Sequence, residues 1–430
     1  MLHDNLKINQ EGRLSFANMD TTLLAKEYGT PLMVIDENRI RERMRLYKKA
    51  MQEFSNSSLP LFASKALCFK EIYRIAKEEG IGIDVVSSGE LYTAISIDFP
   101  MEKVFFHGNN KTDEDIKFAI DNGLGYFVAD NFEELSKINE IASKKGITQK
   151  VIIRLTPGID PHTHASISTG QVDSKFGVAI ETGQADEIVK FALTLDNVKL
   201  MGFHCHIGSQ IFEVEPFLMA VNTMVNYLGK IKKEFNFDTE ILDIGGGFAC
   251  RYVESDGFID YQQNLSKIAT LLKEKVKENN IKMPTIFIEP GRSMVADSGL
   301  TLYSVGSIKE IKGIRNYVSI DGGMTDNPRY ALYGSNYTVI NATKGDKKED
   351  YICTIAGRCC ESGDIIQENV KIAKPERDDI IAVLCTGAYN YSMASNYNRI
   401  PRPPIVMVKD GKSRVVVKRE SFEDIIKNEL

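Results

Sequence analysis

Apolar and polar positions along this chain fall into two alternating patterns between residues 59 and 289. Short, nearly continuous apolar runs recur at Leu59–Ser64, Gly82–Val86, Lys103–His107, Gly125–Ala129, Lys150–Leu155, Val198–His206, Thr239–Ile244 and Thr285–Glu289. Runs of this length, framed by turn residues, read as strands buried on both faces. Between most of them lie segments whose apolar residues recur every three or four positions, such as Asp113–Asn122, Phe132–Lys145 and Phe217–Phe235. That spacing gives amphipathic helices. Eight strands alternating with helices over about 250 residues predict an α/β fold built on a TIM-like (β/α)8 barrel. An open doubly wound sheet gives a similar alternation, and the count of eight favours the barrel.

The pattern differs on either side of this core. Residues 1–36 hold short strand-like pieces ending in Pro31-Leu-Met-Val-Ile-Asp36, and a helical pattern follows over Glu37–Phe54. After Gly291 come short strands and turn residues, at Leu302–Ile311, Asn316–Asp321, Tyr337–Ile340, Tyr351–Ala356, Ile380–Leu384, Pro404–Lys409 and Ser413–Lys418. Ser421–Leu430 reads as a short closing helix. The expected organisation is a barrel over 37–290 and a mostly antiparallel β-sandwich or β-barrel domain formed by 1–36 and 291–430. One long insertion, 156–183, follows the fifth strand and is rich in Gly, Thr, Ser and His; a loop of that length is expected to be functional.

Composition narrows the classes. A chain of 430 residues exceeds one ordinary core and suits two domains. Its 43% hydrophobic and 26% charged residues are those of a globular enzyme. A formal net charge of −6 without a basic run argues against nucleic acid or an anionic membrane surface as the main partner. Seven cysteines, odd in number and without paired zinc-finger spacing, suggest reduced thiols in a cytoplasm. The segment Met1–Phe16 lacks the apolar stretch of a signal peptide, and no apolar run approaches the length of a membrane span.

In barrels of this kind, chemistry sits at the C-terminal ends of the strands, and the notable motifs fall there. Lys65 ends the first strand. A lysine held at a pocket rim and partly desolvated has a lowered pKa and becomes an amine able to form a Schiff base; taken alone it reads more readily as a strand-end lysine reaching for water, and it is the downstream motifs that reverse this. After the sixth strand comes His204-Cys-His206-Ile-Gly208-Ser209. After the seventh comes Asp243-Ile-Gly245-Gly246-Gly247, and after the eighth Glu289-Pro-Gly291-Arg292-Ser293. Loops seven and eight are the usual phosphate site of the fold; glycines let backbone amides approach an anion, and Arg292 adds a forked cationic contact. A Schiff-base lysine beside a phosphate site points to pyridoxal 5'-phosphate. Glu289 is placed to partner its ring nitrogen and His206 to lie against the ring face. The alternative for Glu289 is a salt bridge with Arg292, and for His206 a bond to backbone. His204 and His206 share a strand face as a metal pair would, but no adjacent carboxylate or third ligand is evident, so no metal is expected.

Phe62-Ala-Ser-Lys65-Ala, Asp84-Val-Val-Ser-Ser-Gly89-Glu90-Leu91, His107-Gly-Asn109, His206-Ile-Gly-Ser209, Gly245-Gly-Gly247 and Glu289-Pro-Gly-Arg292, in this order, resemble the fold-type III pyridoxal-phosphate decarboxylases. The resemblance runs through the whole chain. It implies a barrel plus β domain and a head-to-tail homodimer with active sites at the interface. It implies cofactor contacts from Lys65, His206, Ser209, Gly245, Gly246, Gly247, Glu289, Gly291, Arg292 and Tyr389. In Gly357-Arg-Cys-Cys360-Glu361-Ser-Gly-Asp364 it makes Cys360 the proton donor, reaching the partner subunit's site. Arg329 and Tyr333 match the family's substrate-binding pair, and Tyr389 its tyrosine shared by cofactor and substrate. Departures are small: Thr156 stands where an Asn often precedes Pro-Gly, and Arg358-Cys359 precedes Cys360.

The substrate is expected to be a small amino acid. Arg329 and Arg292 suit carboxylate or phosphate, and Glu361 suits an ammonium. A distal centre carrying both groups fits meso-2,6-diaminopimelate, whereas ornithine and lysine carry only the ammonium. The resemblance adds loss of CO2 from the D-centre to give L-lysine. Decarboxylation of D-ornithine, D-lysine or carboxynorspermidine, a racemase, and a non-catalytic pyridoxal-phosphate carrier are the alternatives.

Overall fold

The computed structural model describes residues 1–160 and 173–430. The chain divides into two compact units, one of residues 43–249 and 258–293, the other of residues 1–42, 250–257 and 294–430.

The first unit is a closed parallel barrel. Its strands are Leu59–Ala63, Gly82–Val85, Val104–Phe106, Tyr126–Ala129, Gln149–Thr156, Val198–Cys205, Ile241–Asp243 and Thr285–Ile288. Each pairs with the next, and the eighth pairs with the first, Phe287 opposite Leu59, which closes the ring. All eight lie where the apolar runs predict them, within two residues at either end. Inside, Leu61, Phe105, Val128, Ile152, Met201, Ile241 and Phe287 pack into one buried cluster. Each comes from a different strand, so the barrel is filled rather than hollow. The Phe105 ring stacks on Tyr126 at 4.4 Å and meets Phe287 at 4.9 Å. This apolar filling leaves polar side chains to cluster at the strand ends.

The helices between strands carry local signals for their starts. Thr112 and Asp115 form a reciprocal capping box on Asp113–Asp121, and Asn131 caps Phe132–Lys145 through the Glu134 amide. The latter helix stops at Gly146, which is left-handed. The insertion expected over 156–183 lies partly outside the described residues; its described end adds a two-residue strand, Val178–Ala179, beside the fifth barrel strand. Among the described residues no helix is long and apolar enough to cross a membrane.

The second unit is mostly antiparallel. Its main sheet runs in the order 365–373, 349–356, 315–320, 299–311, 32–36, 405–409, 412–417. Leu32–Asp36 sits in the middle, antiparallel to 299–302 and parallel to 405–408. The pair 315–320 and 349–356 is also parallel. Residues 250–257 group with this unit: Thr338 Oγ1 donates to the Tyr252 carbonyl at 2.9 Å, and the Tyr252 and Tyr337 rings meet edge-on. A strand at Ile365–Ala373 goes beyond the expected set.

Candidate active site

The barrel's strand ends gather a buried polar cluster around Glu289, just past the eighth strand. Glu289 Oε2 lies 3.2 Å from His204 Nε2, and Glu289 Oε1 lies 2.5 Å from His107 Nε2. The two imidazoles meet edge-on, 4.8 Å apart. All three side chains are buried. Burial would raise the Glu289 pKa, but the two histidines outweigh it and hold the carboxyl well below its usual range. Burial pushes the histidines the other way, His107 down to about 3. Glu289 is thus held toward its anionic form, and burial holds the two imidazoles toward their neutral forms. Asp84 and Asp243, also buried, are pushed well above the carboxylate range by burial and then by the Glu289 charge. His107, His204 and Glu289 offer donor atoms within 4.8 Å of one another, a third ligand and carboxylate that the sequence did not reveal. Two ligands on one zinc would stand about 3 Å or more apart, so the 2.5 Å approach of His107 fits direct contact better.

Lys65 lies on a short turn, Ser64–Ala66, directly after the first strand. It is exposed in this chain, which corrects the expectation of a desolvated amine. The strand ends at Ala63, and the turn lifts the lysine out of the barrel filling. Its charge instead acts on two acids, Asp84 and Glu90. Burial raises Glu90 to about 7, against the Val86 amide, which donates to it at 2.7 Å, and against Lys65. Sequence reasoning quoted Asp84 and Glu90 within a motif but gave them no role.

His206 is half-buried, and its Nδ1 accepts the Gly246 amide at 3.2 Å, which fixes the ring's orientation. Burial first, then the charge of Lys65, keeps it well below the usual histidine range. His204 thus meets Glu289, whereas His206 accepts the Gly246 amide.

The glycines answer to crowding. A Cβ on Gly246 would stand 2.1 Å from the Glu289 carbonyl oxygen, and one on Gly291 would stand 2.9 Å from the Ala63 Cβ. Gly291 thus lets the eighth strand end press against the first, next to Lys65. In this structure the Gly245 amide donates to Asp243 Oδ1 and the Gly246 amide to His206 Nδ1. Arg292 is buried and donates from Nε and Nη2 to Ser209 Oγ at 3.2 and 3.0 Å. Those donations leave the Ser209 hydroxyl proton available to an anion. An ionised carboxylate, a strand-end lysine, an oriented imidazole and this Arg–Ser pair match in kind what pyridoxal phosphate requires.

The second unit holds its own set. Arg329 is buried with its guanidinium over the rings of Tyr333 (5.0 Å) and Tyr389 (5.3 Å), and its Nε has no hydrogen-bond partner. Tyr389 has φ of +63°, a conformation that strains a bulky residue and persists where surroundings impose it. Asn327, just before Arg329, is buried with both ends of its amide unsatisfied. Buried polar groups without partners are costly and suit a site that receives a ligand. Cys360 and Glu361 lie exposed on a tight loop. Asn398 Oδ1 accepts the Cys360 amide at 2.7 Å, and buried Asp364 accepts the Cys359 and Met324 amides at 2.7 and 2.6 Å. Asp364 is the residue that shapes this loop, a role its place in the motif did not announce.

A family model for the pyridoxal-dependent decarboxylase pyridoxal-binding domain matches residues 37–296. Diaminopimelate decarboxylase of Bacillus methanolicus is 46% identical over 418 residues, covering 97% of each chain. That of Bacillus subtilis is 43% identical over 429 residues, covering 100% of this chain and 98% of its own. The crystal structure of diaminopimelate decarboxylase from M. jannaschii in complex with L-lysine superposes with a TM-score of 0.93 at 34% identity, covering 100% of this chain and 99% of that one. Fold, strand-end chemistry and relatives agree: this chain belongs to the pyridoxal-dependent decarboxylases.

Proposed function

We propose that this protein decarboxylates meso-2,6-diaminopimelate at its D-centre, releasing CO2 and L-lysine, the last step of lysine biosynthesis. The observation that carries the reaction class is Glu289, a buried carboxylate kept ionised at the mouth of a barrel that also presents Lys65. The substrate follows from relatives that match this chain end to end and bear that activity's name.

Lys65 bears the cofactor covalently through its amine. Ser209, Gly247 and Arg292 hold the phosphate, with Gly245, Gly246 and Gly291 allowing the loops to approach, and His206 supports the ring face. Pyridoxal phosphate held by these residues would supply an electron sink for breaking the carbon–carboxylate bond. Glu289 keeps a proton on the ring nitrogen and so favours that uptake. Cys360 returns a proton from its Sγ to the α-carbon, in place of the departed CO2. Arg329, Tyr333 and Tyr389 receive the distal carboxylate, and Glu361 its ammonium; the unsatisfied Arg329 Nε supports this. The exposure of Cys360 and Glu361 supports a homodimer in which each chain lends this loop to its partner's barrel. All seven cysteines are free, in keeping with a cytoplasmic enzyme.

The test is CO2 release from a panel of meso-diaminopimelate, D-lysine and D-ornithine, with the amino-acid product identified. Release from diaminopimelate with L-lysine formed is the expected result. A preference for D-lysine or D-ornithine would move the chain to the alternative decarboxylases.

A further inference from the structure

We propose that His107 and His204 are positioning residues that hold Glu289 oriented and ionised by presenting one ring N–H to each of its carboxylate oxygens. The inference rests on the reading of Glu289 as partner of the cofactor's ring nitrogen, and explains how this chain keeps a carboxylate charged in a buried place.

The geometry is the argument. His204 Nε2 is 3.2 Å from Glu289 Oε2, and His107 Nε2 is 2.5 Å from Oε1. Neither contact point is open to water. The His204 contact is a hydrogen bond; the His107 contact is close but falls outside hydrogen-bond geometry, so a small turn of either side chain aligns it, and His204 Nδ1 is buried without a partner. A neutral imidazole has one N–H. Placing it on Nε2 leaves only a lone pair at Nδ1, which costs less than a stranded N–H. A hydrogen bond from a neutral donor favours the charged form of the acceptor and adds no charge of its own. Two carboxylate oxygens offer about four acceptor sites, so beside the two histidines and Asp243, which also hydrogen-bonds Glu289, one remains for the ring nitrogen.

The donors are themselves braced. The His107 amide donates to the Val85 carbonyl at 2.8 Å. In the loop behind it, buried Lys111 donates to the carbonyls of Gly108 (3.0 Å) and Val128 (2.8 Å) and to Glu134 Oε1 (2.8 Å). His204 lies within the sixth strand, opposite Asp243 and Arg154 on its neighbours. Asp84, Asp243, Arg154, Cys205 and His206 also act on Glu289, Asp243 through a hydrogen bond as well as its charge. The two aspartates are held above the carboxylate range, so Glu289 is left as the cluster's anion.

The experiment compares cofactor affinities of apoprotein variants by absorbance titration, using pyridoxal phosphate and its analogue with carbon in place of the ring nitrogen. His107→Phe and His204→Phe remove an N–H while keeping an aromatic ring; His107→Gln and His204→Gln restore one. Each Phe variant is expected to bind pyridoxal phosphate about tenfold more weakly and the analogue as wild type does, with Gln recovering most of the loss. Equal weakening toward both compounds, or none toward either, overturns the proposal. Glu289→Gln is run alongside. If it too treats the two compounds alike, the reading of Glu289 itself has failed. If it discriminates while the histidine variants do not, only the positioning role has failed. Should the Phe variants not fold, nitrogen-15 NMR of the wild-type apoprotein decides: neutral Nε2–H tautomers at both histidines uphold the proposal, and imidazolium or Nδ1–H forms overturn it.

Discussion

Glu289 shows what one residue can and cannot reveal in a sequence. Its place after the eighth strand, beside Gly291 and Arg292, makes it a candidate ring-nitrogen partner from position alone. Its actual neighbours, His107 and His204, come from the ends of the third and sixth strands. Only barrel closure brings those strands' ends to the eighth, and no local pattern encodes that meeting. Lys65 stands directly after the first strand, as its place in the sequence suggests, yet it is exposed rather than desolvated, because exposure depends on the turn that follows the strand. With Glu289→Gln the neutral amide no longer favours a protonated ring. We expect kcat to fall about a hundredfold with little rise in KM, measured by steady-state CO2 release; an unchanged kcat refutes the electron-sink role. In the function we propose, Arg329 and Glu361 serve binding rather than bond breaking. Arg329→Ala or Glu361→Ala is expected to lower kcat/KM for meso-diaminopimelate by about ten- to hundredfold. The same loss toward D-lysine, which lacks the distal carboxylate, would show that Arg329 reads something else.

At the scale of elements, buried strands wrote the clearest signal. Eight continuous apolar runs became eight barrel strands, since burial on both faces demands apolar residues throughout. The strand Ile365–Ala373 escaped because Gln367, Glu368 and Asn369 interrupt its apolar residues, and Asn369 has φ of +54°. The helix Glu37–Met51 carries another hidden device. Glu37, at its first turn and buried, meets Arg41 at 2.8 Å, Lys409 at 2.9 Å and Arg414 at 2.6 Å. Burial would raise its pKa, but these three cations outweigh it and bring it to about 2. A carboxyl lowered on folding stabilises the fold above its ordinary pKa of about 4.5 and loses that contribution as pH falls toward 2. Glu37→Gln is therefore expected to cost about 2 kcal/mol at neutral pH, since two of the cations are partly solvated and screened. Melting curves should show the gap from wild type closing between pH 4.5 and pH 2. A gap that stays constant over that range would mean the triad contributes nothing through charge.

For the whole molecule, the exposed Cys360–Glu361 loop carries the prediction. Lys65→Ala and Cys360→Ala proteins should each be nearly inactive. Co-expressed, random pairing makes about half the dimers mixed, and each mixed dimer has one intact site, so activity recovers to about a quarter of wild type. Purified mixed dimers that stay inactive would show that Cys360 serves its own barrel, and a monomer by light scattering would refute the shared site outright. The two-unit division was visible in the change of pattern after Gly291. That Leu32–Asp36 is the central strand of the second unit was not, because its partners lie far along the chain. This has a consequence for synthesis. The ribosome releases that strand about 260 residues before its first partner at Gly299 emerges, an interval of about 13 to 50 seconds at ordinary elongation rates. During that wait the barrel can complete itself, while an apolar strand with two unsatisfied edges stays on the nascent chain. Newly made protein is thus most vulnerable to aggregation and to chaperone capture near its own beginning, and slowing translation between the codons for Asp36 and Gly299 should worsen its yield more than slowing it before Leu32 or after Leu302.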